Sequence, residues 1–254
     1  MKYQKYTEEQ RSQALSLFSE NNNASQTAQK LSIPRHVVRA WVTGGVTRAE
    51  DSKIELINPL EFNLSQKKAY SYILGLYLGD GCVSKTHKEN VFRMRIVLDT
   101  KYGDMNDYAV KNMKILFPDN KVSTYKRLNE NCIELSVYST QLIGLFPQSG
   151  LGKKHNRKIE LAQWQIDNIV PVNFVQGLFH SDGSYYFCQS KYPAYSFTNL
   201  SLDIKELYSS YLSRLNVSCS GGLNAKSIYS YGKQALALKE LIGTKTGVMN
   251  LINV

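Results

Sequence analysis

Two segments of the chain share one pattern, and each ends in an aspartate followed by a glycine. Residues 73–81 and 175–183 both read as an apolar residue, then Gly, Leu and an aromatic residue, then a small residue, Asp and Gly. The acids are Asp80 and Asp182. An apolar helix that recurs and ends in an acid predicts two similar half-structures that meet at a pseudo-twofold axis. The two carboxylates would then lie side by side and form a chemical site.

Carboxylates at the C-termini of two neighbouring helices predict a site for a divalent cation. Helix C-termini carry partial negative charge, so acids placed there repel each other and the pKa of at least one of them rises. A divalent cation removes this conflict and supplies charge for phosphate chemistry. Oxygen ligands favour Mg²⁺ over zinc. A single Asp-Gly after a helix is usually a cap or a turn, but two such ends in a repeated pattern favour the functional interpretation.

Small residues recur four positions apart in both segments and predict close packing of the two helices. Gly75 and Gly79 share one face of the first helix, and Gly177 and Ser181 share one face of the second. Small residues at this spacing let two helix backbones approach each other. Such an approach would bring the two acids together.

The chain from 64 onward predicts an α+β fold in which the order αββαββα occurs twice. In the first half, 64–160, the pattern predicts helices over 65–80, 102–116 and 140–146 and strands over 82–86, 91–98, 121–128 and 132–138. In the second half, 161–254, it predicts helices over 172–182, 202–215 and 233–242 and strands over 184–191, 195–199, 217–224 and 227–231. Each half would form a four-stranded antiparallel sheet with helices on one face, which leaves the other face open to a ligand.

Residues 1–45 predict a small all-α domain of the helix-turn-helix type, followed by a linker over 46–63. The predicted helices are 7–21, 25–31 and 34–42. The third would turn Val37, Val38 and Trp41 towards a core and leave three basic residues outward, namely Arg35, His36 and Arg39. The segment resembles the helix-turn-helix domains of resolvases and insertion-element transposases, in which such a helix lies in the major groove. A three-helix bundle that binds no DNA, or a protein contact, is the alternative.

The composition favours a globular intracellular protein with a polyanionic partner. The 254 residues carry a net charge of +10, which points to nucleic acid first and to an anionic membrane second. No apolar run reaches the roughly 20 residues of a membrane helix, so no membrane partner is expected. The four scattered cysteines contain no CxxC pair, which argues against a zinc site or a disulfide framework. Three of them lie in strand-like segments, where buried free thiols are expected, and a reducing, cytoplasmic setting fits best.

The two acidic motifs resemble the LAGLIDADG motif of homing endonucleases, and the resemblance extends over about 64–254. The matching positions are Gly75 and Gly177 for the motif's first Gly, Gly79 and Ser181 for its small residue, Asp80 and Asp182 for its catalytic acid, and Gly81 and Gly183 for its final Gly. Leu78 and His180 stand where the motif has its first Asp, a position that varies in the family. Two motifs in one chain are similar to the monomeric, two-repeat class.

The resemblance implies a site-specific endonuclease of double-stranded DNA that acts as a monomer with internal pseudo-twofold symmetry. Its two sheets would form a saddle along the major groove, and the motif helices would form the seam over the minor groove. Asp80 and Asp182 would hold Mg²⁺ or Mn²⁺, and activated water would attack one phosphodiester bond on each strand. The cytoplasm, at the nucleoid, is the location that this function implies.

Basic residues late in each half are candidates for a supporting role at the cleaved phosphates. In the family a lysine there helps to organise the water or to stabilise the transition state. Position in the repeat favours Lys154 and Lys245, with Lys153, His155 and Lys158 as basic neighbours of the first. A phosphate-binding loop without a catalytic role is the alternative.

Polar residues on the open sheet faces are candidates for DNA contact. In 92–96 the alternation places Arg93 and Arg95 opposite the apolar side chains, and Tyr125 and Arg127 share one face of a later strand. Arginine on such a face can read guanine with two hydrogen bonds. The second half offers more Tyr, Ser, Gln and Asn, with Gln189 and Asn199 as candidates. An asymmetric surface suits a non-palindromic site, although an ordinary solvated sheet face is the alternative.

Two other functions are compatible with this scaffold. Some relatives combine the fold with a helix-turn-helix and regulate transcription without cleavage, and others bind intron RNA as splicing maturases. The presence of both acids in this chain favours cleavage over regulation.

Overall fold

The computed structural model describes residues 6–42, 57–128, 130–222 and 224–251. The chain divides into two compact units, with the boundary between Glu55 and Leu56. Most of the predicted linker, 46–56, lies outside the described residues. Its remaining part belongs to the second unit, where Phe62 is buried and the backbone N–H of Ile57 donates to Gln141 Oε1 at 2.7 Å.

The first unit consists of three helices, α1 (Glu8–Asn21), α2 (Ala24–Leu31) and α3 (Arg35–Val42). Side-chain caps begin the first two, because Thr7 accepts a hydrogen bond from the backbone of Gln10 and Asn23 accepts from the backbones of Ser25 and Gln26. The core of this unit contains Ala14, Ala28, Ile33, Val38 and Trp41. Val37 is half-buried, and Arg35, His36 and Arg39 are exposed.

The first half of the second unit has the predicted order of elements. They are α4 (Leu64–Asp80), β1 (Gly81–Lys85), β2 (Phe92–Asp99), α5 (Gly103–Leu116), β3 (Ser123–Lys126), β4 (Cys132–Ser139) and α6 (Leu142–Leu145). The strands form an antiparallel sheet in the order β1-β2-β4-β3, which confirms the predicted four-stranded sheet. Alternation along β2 buries Met94, Ile96 and Leu98 against the helices and turns Arg93 and Arg95 to the opposite face.

The second half follows the same order, with one strand fewer among the described residues, after a short helix that the sequence did not predict, α7 (Gln163–Asn168). Its elements are α8 (Pro171–Asp182), β5 (Gly183–Cys188), β6 (Tyr192–Thr198), α9 (Leu202–Arg214), β7 (Ser227–Tyr231) and α10 (Lys233–Ile242). The strands pair in the order β5-β6-β7 and are antiparallel.

The predicted strand over 217–224 is wrong, and the second sheet has three strands in the part of the chain that the structure describes. Only Ser220 pairs there, in a single bridge with Tyr229. Asn216 and Gly221 adopt left-handed backbone conformations, with φ of 57° and 95°. These conformations interrupt the extended backbone. A segment that alternates apolar and polar residues therefore does not form the ladder of hydrogen bonds of a strand.

The core of the second unit lies between the helices and the two sheets and includes both motif helices. From Lys68 to Leu78 every residue of α4 is buried, so this helix is the centre of the unit rather than a surface element. The expectation of buried thiols is wrong, because Cys82 is exposed and the other three cysteines are half-buried, although all four are free. No helix in the described part of the chain is long and apolar enough to span a membrane.

Candidate functional site

The two motif helices, α4 and α8, touch through their glycines. A β-carbon built on Gly75 would lie 2.6 Å from the backbone nitrogen of Leu178 and 2.6 Å from the carbonyl oxygen of Phe174. A β-carbon on Gly177 would lie 3.1 Å from the α-carbon of Gly75 and would collide with the carbonyl group of Tyr72. Backbone atoms cannot yield as a flexible side chain can, so glycine is required at both positions for this approach.

The same contact brings the acidic ends of the helices together. A β-carbon on Gly79 would lie 2.6 Å from Asp182 Oδ2 and would overlap the side chain of Ser181. Ser181 fits because its hydroxyl turns back and donates to the carbonyl oxygen of Leu178 at 2.7 Å. The carboxylate of Asp182 is therefore packed against Gly79 in the last turn of α4, and Gly79 immediately precedes Asp80.

The two carboxylates interact electrostatically, and neither is sealed from solvent. Asp80 is exposed on one side and Asp182 is half-buried. Crowding by protein on the other sides raises the pKa of Asp80 to about 6, and the negative charge of Asp182 adds to the rise. Loss of hydration also raises the pKa of Asp182, while the hydrogen bond from Asn199 and the nearby lysines oppose that rise.

Lys154 closes the C-terminal end of α4. Its ammonium group donates to the carbonyl oxygens of Gly81 at 2.6 Å and Gly79 at 3.1 Å, and also to that of Tyr77. It lies 4.8 Å from the centre of the Tyr77 ring. Burial lowers the pKa of Lys154 to about 8, and the charges of Asp182 and Asp80 oppose the fall. The ammonium group is therefore a fixed cation at the negative end of a helix dipole.

Lys245 has the corresponding place in the second half, with fewer contacts. It donates to the carbonyl oxygen of Ser181 at 2.9 Å and lies 5.7 Å from the centre of the Tyr102 ring. The turn that carries it begins at Gly243, where φ is +69°, and is closed by a backbone hydrogen bond from Thr244 to Gly247 at 2.9 Å. Burial lowers the pKa of Lys245, and the two aspartates oppose the fall.

The acids and lysines of the two halves form one electrostatic cluster. Both lysines lower the pKa of Asp80 and of Asp182. Their hydrogen bonds stay within each half, because Lys154 binds carbonyl oxygens at the end of α4 and Lys245 binds that of Ser181 at the end of α8.

Asn199 belongs to the acidic centre, a place that the sequence did not assign to it. Its side-chain amide donates to Asp182 Oδ2 at 2.8 Å, and its carbonyl oxygen accepts from the backbone of Ser201 at 2.8 Å. The register of β5 with β6, in which Gly183 pairs with Phe197, brings the end of β6 beside Asp182. No local sequence signal marks this contact, because it depends on strand pairing.

A cavity of about 400 Å³ opens beside Asp182. Its lining combines the basic loop 150–157, the end of β6 and residues from the end of α4 and the start of β1. The polar members of the lining include Lys153, Lys154, His155, Arg157, Asp182, Thr198 and Asn199. A phosphate group accompanied by a cation matches this combination of basic side chains and one carboxylate. Lys158, which the sequence grouped with this loop, instead pairs with Glu160.

The donor set fits a hard divalent cation that is shared with a substrate. Among the described residues no group of three or more His, Cys, Asp or Glu side chains is placed to hold a metal ion. Mg²⁺ commonly binds through one or two carboxylates, with water and substrate phosphates as its other ligands. The pKa of each acid is raised, so a cation would relieve an existing electrostatic cost. Asp80 and Asp182 are the residues that would hold it.

The open face of the first sheet carries an ion network that the sequence did not predict. Glu134 on β4 is buried and pairs with Arg93 of β2 and with Arg127, at 3.1 Å for the latter. Arg127 also pairs with Glu130 at 3.2 Å. The carboxylate of Glu134 therefore orients two arginines that were predicted to contact DNA.

The same face includes arginines whose Nε atoms are buried. Within the described residues, the Nε atoms of Arg93 and Arg95 are shielded from solvent and have no hydrogen-bond partner. Tyr125 on β3 is 58% exposed. Gln189 lies outside the sheets, in the exposed turn between β5 and β6, with a left-handed φ of 50°. Arg35, His36 and Arg39 belong to the first unit, where they are exposed.

No known protein-family model and no curated protein matches the chain. Among solved structures, the homing endonuclease I-DmoI in complex with DNA and Mn is 19% identical, with a TM-score of 0.49 over 71% of this chain and 98% of that one. I-WcaI bound to its DNA recognition sequence is 13% identical, with a TM-score of 0.46 over 82% and 94%. The N-terminal LAGLIDADG domain of DUF199/WhiA is 16% identical, with a TM-score of 0.43 over 78% and 89%.

Proposed function

We propose that this protein is a site-specific endonuclease of double-stranded DNA that depends on Mg²⁺ or Mn²⁺. The observation that carries the proposal is the cluster of Asp80, Asp182, Lys154 and Lys245 at the seam of two packed helices. Two carboxylates with raised pKa values beside two lysine ammonium groups suit the joint binding of a metal ion and a phosphate. Both acids are in one chain, so a monomer contains both cleavage centres.

The chain's own residues have separate tasks in the proposed hydrolysis. A bound divalent cation would supply Lewis acidity and neutralise charge on the scissile phosphate. Asp80 and Asp182 would hold it at the seam, and Asn199 orients the carboxylate of Asp182. Lys154 stays protonated at neutral pH, since its pKa is about 8, and places positive charge beside the cavity.

The surfaces around the seam would hold the DNA. Arg93, Arg95, Tyr125 and Arg127 face one half-site, and the outer face of the second sheet meets the other. Basic side chains provide attraction to phosphates that falls as salt rises. The three-helix unit, with Arg35, His36 and Arg39 exposed, adds a second DNA contact that raises affinity through effective concentration.

A cleavage assay on a bound target tests the proposal. Duplexes that the full chain retains from a random library in EDTA are recovered, and Mg²⁺ is then added. Wild-type protein is expected to cut both strands. The variants Asp80→Asn and Asp182→Asn are expected to bind the duplex but not to cut both of its strands. Asp104→Asn, an exposed acid at the start of α5, is the matched control and should cut normally. Tight duplex binding by wild-type protein without cutting in Mg²⁺ or Mn²⁺ contradicts the nuclease.

A DNA-binding regulator that does not cleave is the second candidate. One observation favours it: lysine ammonium groups already occupy the carbonyl oxygens at the ends of α4 and α8. Those oxygens are therefore not free to complete a coordination shell around a cation. The assay above separates the two candidates, because a regulator retains duplex DNA and leaves it intact.

A further inference from the structure

The three strands of the second sheet contain no charged residue. Their sequences are GSYYFC in β5, YPAYSFT in β6 and SIYSY in β7. The strands of the first sheet carry Lys85, Arg93, Arg95, Asp99, Lys126 and Glu134. In a protein with a net charge of +10, a sheet face without charge cannot attract phosphates as the other face does.

Strand register shows what replaces the charges. Gly81 pairs with Ile96 in the first half, and Gly183 pairs with Phe197 in the second, so the two sheets can be aligned position by position. This alignment places Ala194 where the first half has Arg93, Ser196 where it has Arg95, and Ser227 where it has Glu134. An ion network in one half is thus replaced by small and hydroxyl side chains in the other.

Tyrosines cover the small residues and form the outer surface. Tyr186 and Tyr231 flank Ala194 in the register. Ala194 has no exposed surface as a result, while Tyr186 and Tyr231 stay 38% and 45% exposed. Tyr229 is stacked on Tyr231 with 5.6 Å between ring centres and 12° between ring planes. The rings therefore form one packed cluster, which we call the tyrosine face (Tyr186, Tyr229, Tyr231).

Such a surface favours one kind of base edge in a major groove. It offers apolar ring atoms and hydroxyl groups, and it has no guanidinium group for a bidentate contact with guanine. The 5-methyl group of thymine is the apolar feature of the major groove. Burial of that methyl group against a ring is favourable without any ion pairing.

The cluster is better suited to a duplex than to unpaired bases. Stacking of a single-stranded base requires a free ring face. Here Tyr229 and Tyr231 stack on each other, and Ala194 is buried between Tyr186 and Tyr231 in the register. The stacked faces are therefore closed to an unpaired base.

The distance from the acids sets the position of the contact. The strand β5 begins directly after Asp182, and Tyr186 is its fourth residue. At about 3.3 Å per residue this corresponds to about 13 Å, or roughly four base pairs of duplex. Lys191 and Lys226 lie in the turns beyond the strands, where the rim of the sheet would meet phosphates.

We propose that the tyrosine face reads thymine methyl groups about four base pairs from the cleavage centre, in a half-site that is A·T-rich. This inference rests on the proposed function. It assigns different interactions to the two half-sites. Arginines make salt-sensitive contacts with one half-site, and neutral side chains make apolar contacts with the other.

Replacement of thymine by uracil tests the inference on the wild-type protein. Duplexes recovered from a random library with the full chain in EDTA are resynthesised with deoxyuridine for thymidine in one half-site at a time. Affinity should fall about fourfold for each contacted methyl group that is removed. The effect should occur in the half-site under the second sheet, and it should be the same at low and high salt.

Variants assign the effect to the tyrosines. Tyr231→Ala should lose the sensitivity to uracil, whereas Tyr231→Phe, which keeps the ring, should retain it. Circular dichroism of both variants checks that they are folded, and the wild-type result stands if either is not. Specific duplex binding with no uracil effect in either half-site overturns the inference and leaves the proposed function intact. Preference for single-stranded RNA over duplex DNA contradicts both.

Discussion

The two halves of this protein agree where backbones meet and differ where side chains face outward. At the seam, both halves place glycine and a small residue four apart, then an aspartate, and each adds a lysine that binds the end of its own motif helix. On the open faces, Arg93 and Glu134 in the first half correspond to Ala194 and Ser227 in the second. Contacts between backbones tolerate few residue types, whereas an outward face can change without loss of packing. The duplicated scaffold therefore keeps one chemistry at its centre and two surfaces on its flanks.

Substitution of a glycine on either side of the seam between α4 and α8 should have the largest effect on stability. Gly75→Val and Gly177→Val each force a side chain into the backbone of the opposite helix, so each is expected to cost about 3 kcal/mol or more in free energy of unfolding. Gly103→Ala, where a β-carbon meets no atom within 4 Å, is the control and should cost little. Chemical denaturation measures all three. Full stability of either valine variant would show that the helices do not approach as described.

Asp182 differs from Asp80 because the side-chain amide of Asn199 donates a hydrogen bond to it. Asn199→Ala removes the hydrogen bond to Asp182 and should weaken Mn²⁺ binding about 10- to 100-fold, which is typical of groups that orient a metal ligand. Isothermal titration with the full chain measures the affinity. Ser201→Ala, which removes a neighbouring hydroxyl group that caps α9, is the control for local disturbance. Equal Mn²⁺ affinity in Asn199→Ala and wild-type protein would contradict a positioning role.

The charged face and the tyrosine face should respond differently to salt. Arg95→Ala should reduce the slope of log affinity against log salt by about one, because one phosphate or base contact by a cation is lost. Tyr229→Ala should weaken binding without a change of slope. Fluorescence anisotropy at several salt concentrations gives both slopes. A reduced slope in Tyr229→Ala would mean that the second face, too, acts through charge.

The raised pKa values of the two acids lead us to expect a smaller effect on the free energy of unfolding, and this effect depends on pH. The pKa of Asp80 is about 6, above its ordinary value, so without a cation the folded protein holds this proton more tightly than the unfolded chain. Protonated Asp80 therefore stabilises the folded protein fully below about pH 4, and this stabilisation is lost as pH rises through about 6. Asp80→Asn should therefore raise the melting temperature in EDTA at pH 7 and have little effect at pH 4. Asp182→Asn should stabilise less at pH 7, because it disturbs the hydrogen bond from Asn199.

The sequence predicted the elements well because their signals are local. Capping residues, apolar periodicity and the Asp-Gly ends located α4, α8 and most strands to within a few residues. It failed over 217–224, where alternation suggested a strand and the left-handed residues Asn216 and Gly221 prevented one. The short helix α7 carried no repeated pattern and was missed.

Contacts across the fold could not be read from the chain. Asn199 looked like a residue for reading bases, yet its amide binds Asp182 because β5 and β6 pair in a particular register. Arg93 and Arg127 looked free, yet Glu134 lies between them. No spacing in the sequence signals such contacts, since the partners are separated by turns and strands of variable length.

The amino-acid sequence by itself determined that the chain is duplicated, that each repeat has a helix with small residues on one face, and that each helix ends in an acid. Those properties follow from residue type and periodicity, which act over a few positions. The tertiary structure alone decided which carbonyl oxygens the two lysines bind, which amide orients Asp182, and which carboxylate pairs with Arg93 and Arg127. These are outcomes of strand register and helix contact, in which residues far apart in the chain compete for the same few ångströms of space.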